Sequence, residues 1–113
     1  MGLPPETEAG FQKTVISYAR LRGFRVAHFR TARVQSAKGK TFYATPVAAD
    51  GAGFPDLCMV RGQRVIFAEL KTDRGVLSAE QKAWGELLVA VGGTVEYHVW
   101  RPRDWDRVRE QLD

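Results

Sequence analysis

A chain of 113 residues, 44% hydrophobic and 27% charged, is long enough to bury a core without disulfide or metal staples and reads as one globular domain over residues 1–113. No apolar run approaches the ~18 residues of a membrane span, and MGLPPETEAG lacks the basic and apolar regions of a signal peptide, so a cytoplasmic protein with no membrane partner is expected. The net charge of +4 hides an asymmetry: between Glu8 and Asp50 lie eight basic residues and no acidic one, whereas from Asp50 onward nine basic residues face eleven acidic ones. A block of one sign is the footprint of a polyanion binder, and twelve of the seventeen cations are Arg, whose fork suits phosphate.

The first helix opens at Thr7 or Pro5, with Phe11, Val15, Tyr18 and Ala19 recurring at three and four, and stops at Gly23. FRVAHF alternates as a short strand, with Phe24, Val26 and His28 on one side. A polar basic segment, RTARVQSAKGK, follows and reads as a binding loop, with Arg30, Arg33, Lys38 and Lys40 as its candidate phosphate contacts. TFYATPVA adds a possible strand. After DGAG, the apolar runs LCMV and VIFAELK are joined by RGQR as a β-hairpin. Ser78 begins a helix running to about Val91, closed by Gly92 and Gly93; TVEYHVW makes a last strand and RPRDWDRVREQL a last amphipathic helix. A hairpin followed by a helical crossover to a further strand gives the α/β class, a mixed β-sheet flanked by helices. Trp84, Trp100 and Trp105 read as core, as does the lone Cys58, which permits no internal disulfide and suits a reducing compartment.

Three charges do not belong to an ordinary hairpin. Period two places Val65, Phe67, Glu69 and Lys71 on one face of the second strand, and Asp56 stands at the start of the first, with twelve residues between it and Glu69. About four residues per arm and four in the turn would bring Asp56 back alongside Glu69. Two close carboxylates repel unless a proton or metal lies between them. Hard oxygen donors without a His/Cys cluster favour Mg²⁺, with Mn²⁺ able to substitute. A metal held there can polarise a phosphodiester, while Lys71 orients the attacking water and neutralises charge in the transition state. Taken singly, ExK is a surface strand pair and PD a turn; their placement on adjoining arms, downstream of a basic block, gives them meaning.

GFPD and AELK, with twelve residues between Asp56 and Glu69, resemble the PD-(D/E)XK nuclease signature, and the wider chain resembles the small stand-alone VRR-NUC branch of that superfamily. The likeness spans EAGFQ, YARLRGFRVAHFR, TPVAADGAGFPDL, FAELKTDRGVLSAEQKAW and VWRPRDWD. It implies a restriction-endonuclease-like core, with Asp56, Glu69 and the main-chain carbonyl of Leu70 as metal ligands and Lys71 as the catalytic lysine. Gln81 matches a glutamine that follows the lysine in the family, and Glu8 and Gln12 match polar residues of its first helix. Other readings stand beside these: Ser78 and Gln81 also fit a capping box, Glu8 suits a first helical turn, and His28 suits a partly buried strand.

The resulting expectation is a Mg²⁺-dependent, structure-directed DNA endonuclease. Stand-alone VRR-NUC proteins look like homodimeric Holliday-junction resolvases, so the resemblance implies branched DNA as partner and a homodimer that supplies two cuts. The alternatives are a DNA-binding module that keeps the fold without turnover, and an RNA-processing nuclease.

Overall fold

Thr7 accepts a hydrogen bond from Gly10 N–H at its hydroxyl and so opens helix α1, Glu8–Leu21. In the computed structural model the described residues are 7–29, 32–35, 39, 41–44 and 48–113, with the backbone alone for 32–35 and 41–44. Phe11, Val15 and Ala19, four apart, are buried on one stripe of α1. The helix ends in a reversal in which Phe24 N–H reaches Ala19 C=O and Gly23 N–H reaches Arg20 C=O, with Gly23 at φ +89°.

The chain then makes β1 (Arg25–His28), β2 (Ala32–Gln35) and β3 (Thr41–Ala44). Strands β2 and β3 pair antiparallel as a two-stranded ribbon, Arg33 opposite Tyr43. This corrects the reading of RTARVQSAKGK as loop: ARVQ is strand, its alternation hidden in a run of basic and small polar residues. Arg30, Lys38 and Lys40 lie outside the described residues, and Arg33 is described by its backbone alone.

The hairpin follows as β4 (Leu57–Arg61) and β5 (Arg64–Leu70), in register Leu57 to Ala68 through Arg61 to Arg64. Its turn is therefore Gly62–Gln63, two residues rather than four, with Gly62 at φ +59° in the first position, where two-residue turns need glycine. The arms are five and seven residues long. Helix α2, Ala79–Val91, carries the chain across to β6, Val95–Trp100, which lies parallel to β5. A 3-10 turn, Pro102–Asp104, leads into α3, Trp105–Leu112.

The main sheet is four-stranded and mixed, in the order β1-β4-β5-β6. One face carries Leu57, Met59, Ile66, Ala68 and Leu70, fully buried with the stripe of α1 and with Val108 and Leu112 of α3. Each of the larger side chains gains on the order of 1.5–3 kcal/mol from that burial. The other face carries Phe67 and Tyr97, and α2 lies so close to it that a Cβ on Gly85 would stand 2.7 Å from the Tyr97 ring. The fold is thus α/β, helices on both faces of a mixed sheet. No described helix is long and apolar enough to cross a membrane.

Of the three tryptophans, Trp100 is fully buried and Trp105 packs at the core margin, edge-on to Tyr18. Trp84 is not core. It is half-buried, meets Phe54, and donates its indole N–H to Asp50 C=O at 3.0 Å. Cys58 is half-buried, and that burial pushes its thiol up, away from nucleophilic character.

Candidate functional site

Strand pairing sets the row of side chains at the centre of the site. Extending the observed registers by one residue continues the line from His28 and Leu57 to Phe29 and Asp56, and from Leu57 and Ala68 to Asp56 and Glu69. The Phe29 N–H donates to Asp56 C=O at 2.9 Å, so the ladder does continue past β1. Phe29, Asp56 and Glu69 therefore form a row across one face of the sheet, beside Val99 of β6. They line a cleft of about 540 Å³ together with Glu8, Lys71, Gln81 and the loop Gly51–Phe54.

Asp56 is held by its carboxylate, Oδ2 accepting from Leu70 N–H at 2.8 Å. Lys71 N–H, by contrast, reaches Trp100 C=O in β6. N–H and C=O of one strand residue point the same way, so the Leu70 carbonyl also faces the Asp56 side. Lys71 comes two residues after Glu69 and brings its side chain to the same cleft.

Glu69 is 2% exposed, the one buried charged side chain among the described residues. Its Oε1 accepts from Gln81 Nε2 at 3.2 Å, but its Oε2 is buried without a donor, and a hydrogen bond to the Asp56 carboxylate requires a proton on Glu69. Burial above all, then the Asp56 carboxylate beside it, pushes the Glu69 carboxyl up to about 9, against a smaller opposing pull from Lys71. The Glu8 charge adds slightly to the same push, which places it in the field of the site. Tyr97, behind Glu69 on the same face, is pushed up to about 12 by burial and then by both carboxylates.

Gln81 serves two roles at once. Its backbone N–H bonds to Ser78 Oγ at 3.1 Å and its Oε1 accepts from Ser78 N–H at 2.8 Å, completing a capping box at the start of α2. The same amide still has its NH₂ free for Glu69, so the helix start and the carboxylate are tied through one side chain.

Glu8 thus reaches the cleft, while Gln12, half-buried on α1, is not among the residues lining it. His28 is half-buried in β1, with its neighbour Phe29 rather than itself at the cleft. Sequence reasoning missed the supports. Gly53, at φ +80°, approaches the start of α2 so closely that a Cβ would stand 2.5 Å from the Glu80 carbonyl carbon and 2.6 Å from Gln81 N. Phe54 packs edge-on against Phe29, Phe67 and Trp84. Arg101 donates from Nη1 to Thr72 and Gly75 C=O, both at 2.6 Å, and so braces the loop after Lys71. The glycines of DGAGFPD were the available signal for the first of these; nothing local marked the others.

The donors that could hold a cation are oxygens: Asp56, the orphaned Glu69 Oε2 and the Leu70 carbonyl. Among the described residues no three His, Cys, Asp or Glu side chains cluster closely enough to hold a metal ion by themselves. No family model, curated protein or solved structure matches the chain.

Proposed function

We propose that this chain is a Mg²⁺-dependent endonuclease hydrolysing DNA phosphodiesters, a PD-(D/E)XK nuclease of VRR-NUC type with a restriction-endonuclease-like core. The observation that carries the reading is the buried, partnerless Glu69 Oε2 beside Asp56, in a cleft that also holds Lys71. An uncompensated carboxylate at that depth costs several kcal/mol unless a proton or a cation shares it. A small hard cation fits, since two carboxylates and a main-chain carbonyl leave room for the waters Mg²⁺ keeps.

Bound there, Mg²⁺ would polarise the phosphodiester and stabilise the oxygens of the displacement. The chain's own residues do the rest. Gln81 fixes Glu69 through Oε1, which leaves Oε2 as the oxygen that would be offered to a cation. Leu70 N–H holds Asp56 in a single orientation. Lys71 supplies a positive charge to the phosphate in the transition state and a donor to orient the attacking water. The basic block from Lys13 to Lys40 supports a polyanionic substrate. The family resemblance extends the proposal to branched DNA cut by a two-fold pair of chains.

The test is cleavage of labelled duplex, flap, single-stranded and four-way-junction DNA with and without Mg²⁺, using Asp56→Asn, Glu69→Gln and Lys71→Ala. Each variant should retain its circular dichroism spectrum and lose roughly 10²-fold or more in rate. Three variants that cut at the wild-type rate would remove the assignment.

A further inference from the structure

Hydrolysis leaves one residue of the row without a task. Phe29 stands next to Asp56 across the ladder and lines the cleft, yet the residue is 38% exposed. Among the large apolar side chains exposed in the described residues, it is the one aromatic. Its ring is also held in place. Phe54 meets it edge-on at 5.4 Å and 85°, and Phe54 is itself braced by Phe67 at 5.7 Å and Trp84 at 5.0 Å. The Trp84 indole is anchored in turn to Asp50 C=O. An exposed ring whose orientation is set from beneath loses little freedom when a flat partner settles on it.

Resting on the nuclease reading, we propose that Phe29 is a stacking platform for the nucleobase next to the scissile phosphate, so that the preferred substrate is DNA with an unpaired nucleotide at the cleavage position. Every base has a π face, so the platform is indifferent to sequence. In a continuous duplex that face is covered by the neighbouring pair and has to be uncovered at a cost. A nucleotide already unpaired, at a single-strand boundary or a gap, offers it directly. The phosphate would then meet Lys71 and the cation that Asp56 and Glu69 would hold, while Phe29 fixes the base beside it.

The test is binding in EDTA, where no cleavage occurs, of an oligonucleotide duplex carrying the fluorescent base aminopurine at one unpaired position, alongside the fully paired duplex. Wild type and Phe29→Trp should quench the aminopurine on binding. Phe29→Leu, which keeps an apolar contact with Phe54 but has no π face, should lose the quenching. It should also lose about 5- to 150-fold in affinity for the unpaired probe, the equivalent of ~1–3 kcal/mol for one stacked base. Its affinity for the paired duplex should not change. Equal quenching by Phe29→Leu, or equal loss on both probes, overturns the proposal while Mg²⁺-dependent cleavage by the wild type would leave the nuclease reading intact. Phe29-dependent quenching by a protein that never cleaves would support the platform and remove the hydrolytic reading instead.

Discussion

Replacing Glu69 by Gln should make the metal-free protein more stable, and the gain should grow with pH. The Glu69 carboxyl is raised from 4.5 to about 9 in the folded chain, by burial first and the Asp56 carboxylate second. The folded protein therefore keeps a proton that the unfolded chain has already released. The favourable contribution is complete below about pH 4.5 and is lost progressively as pH rises towards about 9, at up to 1.4 kcal/mol per pH unit. The full shift would be worth about 6 kcal/mol, a ceiling; the cleft opens to water beside Lys71, so a difference on the order of 2–3 kcal/mol is expected. A glutamine has no charge to desolvate. Its oxygen can still accept from Gln81, and its NH₂ can donate to the Asp56 carboxylate. The assay is urea denaturation in EDTA at about pH 5 and about pH 8.5 for both proteins. Taking the difference between them removes the other shifted groups, such as His98, lowered mainly by its burial, and Glu96, lowered mainly by its bond to Arg64. Mg²⁺ should then stabilise the wild type and not the variant. Parallel pH profiles, or a variant less stable than wild type at about pH 8.5, would refute the claim that Glu69 is an uncompensated carboxylate.

Gly53→Ala should cost about 2–4 kcal/mol, since a Cβ meets strain at φ +80° and overlaps the backbone of Glu80 and Gln81, and cleavage should fall as Asp56 moves away from Gln81; denaturation and rate measured on the same sample check both halves. Affinity for DNA should fall with salt at a log–log slope of about −0.9 per phosphate neutralised, and replacing Arg33, Lys38 and Lys40 together by Gln should flatten it by up to about 0.9 per lost contact without changing Mg²⁺ binding; a salt titration by anisotropy that gives one slope for both proteins places the DNA elsewhere.

What could be read from the sequence was what repeats locally. The stripe of α1 follows a four-residue recurrence, and the alternation in VIFAELK put Glu69 and Lys71 on one face before any register was known. The capping box was legible because Ser78 and Gln81 are three residues apart. The strand in TFYATPVA was legible and is β3, Thr41–Ala44, but its partner β2 was hidden because ARVQ carries too few apolar residues to show a period of two. Trp84 was misread as core because its spacing along α2 says nothing of the loop opposite, where Asp50, thirty-four residues away in sequence, accepts its indole N–H. Phe29 and Phe54 escaped for the same reason. Their meaning lies in contacts between segments with no common period, and such contacts become visible only when the ladder register is known.

The position of Gln81 explains how a site so poorly compensated can persist in a small domain. When both carboxyls are ionised the pair pushes its two strands apart, and within the hairpin the β4–β5 ladder and the Leu70 N–H bond to Asp56 oppose that push. So does the start of α2. Its capping box fixes Gln81 through two hydrogen bonds to Ser78, and the remaining amide N–H reaches Glu69, so moving the carboxylate would also disturb the helix end, worth ~1 kcal/mol. Gly53 brings the Asp56 loop against that same helix end, and Phe54 locks it to Trp84 one turn further along. Glu69 is thus held from α2 and Asp56 from the Leu70 N–H of β5, and the large apolar face between the sheet, α1 and α3 supplies the stability that the site itself lacks. On the proposed reading, the Glu69 Oε2 that this arrangement leaves buried without a donor, while Gln81 fixes Oε1, is the atom a cation would share with Asp56.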